Sequence, residues 1–124
     1  MKYAVLIVRI LLGLMFSVFG SNAFLHFIPV PEMTGDSGAF IGALVRSGYL
    51  YAIGAFQVAG GLLLLIGGRL TALGLTFLGP IVVNILLYHI FLDRNGLAMA
   101  CVVSVLAFFL LWAHRDRFPA IFQW

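Results

Sequence analysis

The stretch GLTFLGPIVVNILLYHIFLDRNG, residues 74–96, decides how the whole chain reads. From Gly74 to Leu92 it contains no Asp, Glu, Lys or Arg, yet Pro80, Asn84 and His89 interrupt it and Asp93 follows it. Extended back to Leu70, the apolar run covers 70–92. That is long enough for a helix to cross a bilayer, which takes roughly 17–25 mostly apolar residues.

The rest of the chain is written in the same way. Of its 124 residues 64% are hydrophobic and 9% charged, and the mean hydropathy is +1.17. Soluble domains are about 45–50% apolar and about 25% charged. A chain this short cannot hide such an excess in a core, because small domains keep much of their surface exposed. The solvent for most of this surface is therefore lipid. The net charge of +3 comes from few charges and is no nucleic-acid footprint. One cysteine, Cys101, excludes an internal disulfide framework and a CxxC redox pair.

Four apolar runs are expected to span the membrane, at about 3–27, 49–67, 70–92 and 97–113. The first is read as a true span rather than a signal peptide, because Arg9 interrupts it and no A-x-A-like site follows. The predicted fold is all-α: a single integral membrane domain, a four-helix antiparallel bundle. Its turns near Gly68–Arg69 and Asp93–Gly96 are short enough to force neighbouring helices. The first outer loop, 28–48, begins with Pro29 and Pro31, which favour extended chain. It predicts a short interfacial helix from Ser37 to Arg46, capped by Ser37, closed by Gly48 and apolar along Phe40, Ile41, Leu44 and Val45. Lys2, Arg69, Arg115 and Arg117 fall on one side of this layout. Arg46 and Arg94 fall on the other, with Glu32, Asp36 and Asp93. The positive-inside rule then puts both termini in the cytoplasm.

Small residues are expected to make the helix contacts, since lipid provides no hydrophobic drive between helices. Gly54, Gln57, Gly61 and Gly68 share one stripe of the second span; Arg9, Gly13, Phe16 and Gly20 share one of the first; Ala100, Ser104 and Ala107 line the fourth. Gln57 is an amide on a packed stripe, and it must find a partner. Asn84 is the expected one. Thr76, Pro80, Asn84 and Tyr88 recur every four residues, and Pro80 cannot bond to the carbonyl of Thr76. Asn84 and Gln57 then either hold the second and third spans together or line a small ligand pocket.

At the outer rim, Asn22 and His26 share a face of the first span, and His89 and Asp93 share one of the third. His89 is turned about 140° from Asn84, at 100° per residue. These rim side chains are read as lining the mouth of a pocket rather than as metal ligands. Arg9 either snorkels to the cytoplasmic interface or points inward, where a carbonyl, a lipid phosphate or a quinone oxygen must meet it. The candidate ligand-binding residues are therefore Asn84, Gln57, Arg9, Asn22, His26, His89 and Tyr88, with no metal and no catalytic group.

The stretches RILLGLMFSVFGSNAFLHFIPVPEM, GALVRSGYLYAIGAFQVAGGLLLLIGGR and GPIVVNILLYHIFLDRNGL together resemble the DoxX-like family of small four-span bacterial membrane proteins. The resemblance covers nearly the whole chain. It rests on the proline-rich outer loop, the SGYL start of the second span and the PIxxNIxxxH core of the third. It implies the bacterial inner membrane and the neighbourhood of quinone-linked or oxidative-stress complexes. Similar sequences often carry an acid where Gln57 stands, so proton-coupled chemistry is not expected at that position. Two functions follow as expectations. One is an accessory module that binds a quinone or other lipid-like molecule beside a membrane oxidoreductase. The other is a structural or assembly subunit, working with a membrane-protein partner or with further copies of itself. An enzyme acting alone has no nucleophile–base motif to support it.

Overall fold

The structure, a computed structural model, describes residues 1–26 and 34–119. Pro29, Pro31, Glu32 and Trp124, on which parts of the loop and topology expectations rest, lie outside these. Among the described residues there are five α-helices and no strand: α1 Lys2–Leu25, α2 Gly35–Ser47, α3 Tyr49–Ile66, α4 Leu70–Phe91 and α5 Leu97–Ala113. Short 3-10 turns at Arg94–Gly96 and Arg115–Arg117 flank α5. Helices α1, α3 and α4, and the stretch Arg94–Ala113 that contains α5, are long and apolar enough to cross a membrane.

Helix α1 lies along α3, α3 along α4 and α4 along α5, while α5 returns more lightly to α1. The interior is small and apolar. Leu12 and Phe16 meet Leu64, Leu75, Leu78, Val82, Val103 and Leu110 there. The outside is equally apolar, with Phe19, Phe56, Phe91, Val105 and Phe108 all exposed. A protein in water rarely shows so much contiguous apolar surface; in hydrocarbon it costs nothing.

The tightest seam is α1 against α3, and glycine makes it possible. A Cβ built on Gly61 would lie 2.7 Å from the backbone nitrogen of Ser17 and 2.8 Å from the carbonyl oxygen of Gly13. One built on Gly20 would lie 2.8 Å from the carbonyl oxygen of Gly54. The two small-residue stripes expected from the sequence thus face each other. Gly74 of α4 comes equally close to α3, where its Cβ would meet the carbonyl oxygen of Gly60 at 2.9 Å. The α3–α4 turn is made by Gly67 and Gly68, at φ +77° and +59°. This left-handed region penalises any side chain.

Helix α2 starts earlier than expected. Its N-cap is Thr34, in extended conformation, and Gly35 follows at φ +67°. Ser37 is already inside the first turn, where its hydroxyl donates back to the carbonyl of Thr34. It therefore caps nothing. Gly48 closes the helix at φ +81°, in the left-handed conformation its position implied.

Candidate functional site

Arg9 does not snorkel away from the bundle. Its Nη1 donates to the carbonyl of Leu64 at 2.5 Å and to that of Leu65 at 3.2 Å. These are carbonyls of the last turn of α3, where no residue further along the helix remains to bond to them. The guanidinium also stands at the negative end of the α3 dipole. Gly67 makes the reach possible, because any Cβ there would collide with the guanidinium. The carbonyl partner foreseen among the alternatives for Arg9 is the one found, and the half-buried guanidinium is absorbed in joining α1 to the end of α3.

The same device recurs at other helix ends. His89 shares a hydrogen bond of 2.9 Å with the carbonyl of Asp93 just past α4, and Arg94 donates to that of Ile90. His114 bonds the carbonyl of Leu110, and Arg115 donates to that of Trp112 while lying over its ring. Basic side chains here close helix ends, which hydrocarbon would otherwise leave with unpaired carbonyls.

Asn84 and Gln57 do not meet. The Asn84 amide Nδ2 donates to the carbonyl of Pro80 on its own helix, at 2.9 Å, and the residue is exposed on the outside of α4. Gln57 faces the other way, half-buried, with its Cβ against Gly20 of α1. The expected pairing of these amides across α3 and α4 is therefore absent. An amide in lipid needs a partner on whichever side it lies, so its polarity alone does not fix the inward face of α4, which is set by close packing such as that of Gly74 on α3.

The rim residues stand at the ends of α1 and α4. His26 is exposed and ends α1 in the left-handed conformation, φ 53°, its backbone N–H bonded to the Asn22 carbonyl. His89 packs over Gly96, holding the α4–α5 turn, and Asp93 Oδ1 accepts from the backbone of Asn95. Tyr88 stacks with Phe40 of α2 at 5.7 Å, touches the His89 ring and engages the side chain of Ser37. It thus ties the loop helix to α4. Among the described residues no three His, Cys, Asp or Glu side chains gather as a metal would need.

The open space lies elsewhere. A cavity of about 270 Å³ sits between the four long helices. Leu12, Phe16 and Leu64 form its floor, and Gly79, Val83, Ser104, Ala107 and Phe108 lead from it towards the outside between α4 and α5. Among the described residues its only side-chain hydroxyl is that of Ser104, which donates to the carbonyl of Ala100 at 2.7 Å. A second, open groove of about 540 Å³ runs along the outer side of α1 and α3, past Ser21, Phe24 and Val58. Neither space is lined by Asn84, Gln57, Arg9, Asn22, His26, His89 or Tyr88. The cavity had a sequence signal that polar residues overshadowed: Gly79 on one helix and Ser104 and Ala107 on the next are small, and none has a large side chain filling the gap between them. A Cβ on Gly79 would meet nothing within 4 Å.

Comparisons of this chain with family models, curated proteins and solved structures find no match.

Proposed function

We propose that this chain is a multi-pass bacterial inner-membrane protein that holds an apolar, lipid-like molecule in the cavity reached between α4 and α5. The observation that carries the reading is the cavity itself: an apolar space of about 270 Å³ that leads out past Val83 and Phe108, both exposed to the surroundings. Its volume lies just below the roughly 300–1,000 Å³ of ordinary ligand pockets. It suits a hydrocarbon chain or a ring edge better than a polar headgroup. A quinone would be held there by its isoprenoid tail, since the amides and Arg9 once expected to serve its carbonyls stand apart from the cavity.

The wider setting is part of the same proposal. An antiparallel bundle is supported by the α1–α3 register, in which Gly13 meets Gly61 and Gly20 meets Gly54. An interfacial position for α2 is supported by the Phe40–Tyr88 contact near the end of α4. The distribution of Lys2, Arg69, Arg115 and Arg117 favours cytoplasmic termini. Service beside a membrane oxidoreductase is supported by the resemblance to DoxX-like proteins.

The test is mass spectrometry of small molecules carried through purification in a mild detergent. Wild type should retain an apolar molecule above the background of bulk lipid. Ala107→Phe, which fills the cavity, should lose it while keeping its helical content. If wild type and Ala107→Phe carry the same molecules, the cavity is not a binding site, and a structural-subunit role becomes the better reading.

A further inference from the structure

The outer face of α4 carries an amide whose bonding is incomplete. Asn84 has two N–H donors and an acceptor oxygen. One N–H is used on the Pro80 carbonyl; among the described residues the rest has no partner. One and two turns towards the N-terminus, Pro80 and Thr76 are exposed on the same face. Pro80 lacks the N–H that the Thr76 carbonyl would normally receive. The Thr76 hydroxyl is turned back onto the carbonyl of Ala72, at 2.9 Å. Leu73, Val83 and Leu87 surround this polar line and are themselves exposed.

Position makes this costly. Asn84 lies seven residues before the end of α4 at Phe91, about 10 Å along the axis at 1.5 Å per residue. That depth falls within a hydrocarbon core about 30 Å thick. Lipid offers nothing to an amide there.

We propose that the Thr76–Pro80–Asn84 face of α4 joins two copies of this chain, through a reciprocal amide pair between their Asn84 side chains. An amide is its own complement: the free N–H of one copy can donate to Oδ1 of the other, and the reverse. Copies inserted in the same orientation hold Asn84 at the same depth, so a two-fold axis along the membrane normal brings the two together. The proposal rests on α4 crossing the bilayer and not on the occupancy of the α4–α5 cavity.

The test uses the full chain in phosphatidylcholine–phosphatidylglycerol vesicles, with donor and acceptor dyes at the C-terminus and increasing lipid dilution. Wild type should show energy transfer linear in acceptor fraction, the signature of a dimer. Asn84→Leu should associate about 3- to 30-fold more weakly, Asn84→Gln should recover much of the loss, and Phe19→Leu on α1 should behave as wild type. In a Cys101→Ser background, Leu87→Cys should cross-link on oxidation and Val105→Cys on α5 should not. A wild type that stays monomeric, or an Asn84→Leu variant that associates as well as wild type, overturns the proposal. Labelling of Val83→Cys by a membrane-impermeant thiol reagent would overturn the span itself, and the dimer with it.

Discussion

The α1–α3 and α4–α5 contacts are built from similar residues and reach opposite results. Along α1–α3, glycines stand opposite glycines, and backbone atoms come so close that a single Cβ would not fit. Along α4–α5, Val82, Val103 and Leu110 fill the inner part, while Gly79, Ser104 and Ala107 face a gap. Small residues close a seam only when no large neighbour props the helices apart. Where a β-branched or leucine contact sets the spacing, the small residues beside it leave a cavity. The first contact is a weld and the second is a place where something else fits.

The strongest way to break this contrast is to put a side chain into the weld. Gly61→Leu should destabilise the protein by about 3 kcal/mol, read as a fall in melting temperature in detergent. Gly79→Ala, meeting open space, should stay within about 1 kcal/mol of wild type, since better helix propensity and crowding before Pro80 oppose each other. Equal losses at the two sites would erase the distinction. Arg9→Leu comes next. It leaves the α3 carbonyls of Leu64 and Leu65 without their donor, at a cost of about 1–3 kcal/mol. Arg9→Lys should fall between, because both bonds come from the one nitrogen Nη1, which an ammonium can replace with its three donors but only on a shorter side chain.

Smaller effects sharpen the second contact. Ala107→Leu should fill space without strain and raise the melting temperature of ligand-free protein by the equivalent of about 1 kcal/mol. A fall instead would mean the gap is narrower than described. Asn84→Leu and Gln57→Leu, facing different neighbours, should have additive effects on the stability of the separated chain, within about 0.5 kcal/mol. Coupling beyond that would restore the contact between them. The least effect belongs to Ser104→Ala, within about 0.5 kcal/mol, because among the described residues its hydroxyl bonds only to its own helix.

Why some of this was legible and some was not follows from the solvent. Four long apolar helices can be read from composition and length because nothing else satisfies a backbone in lipid. The glycine stripes of α1 and α3 were legible because close packing needs small residues at helical spacing. The orientation of α4 was not. Apolar residues surround it on every side, so the sequence marks no single face as the inward one, and the need of the Asn84 amide for a partner in lipid does not say on which side of α4 that partner lies. The cavity was hidden for a related reason: it is marked by what Gly79, Ser104 and Ala107 lack, not by any polar group. The partner of Arg9 was legible as a class, a carbonyl, but not as a place, since the contact joins residues 55 apart in sequence.

That separation has a consequence for how the protein is made. Arg9 leaves the ribosome long before the end of α3 exists to receive it. At roughly 5–20 residues per second, the 55 residues between Arg9 and Leu64 take roughly 3–11 seconds to synthesise. Throughout that interval the first span carries a charge with no protein partner, and it should wait near the lipid headgroups or the insertion machinery. Chains stalled before residue 64 should therefore cross-link from α1 to headgroups or translocon, and chains stalled well after it should not. The bond from Arg9 to α3 then acts as a latch that releases the nascent bundle into the bilayer only when its second long helix is complete.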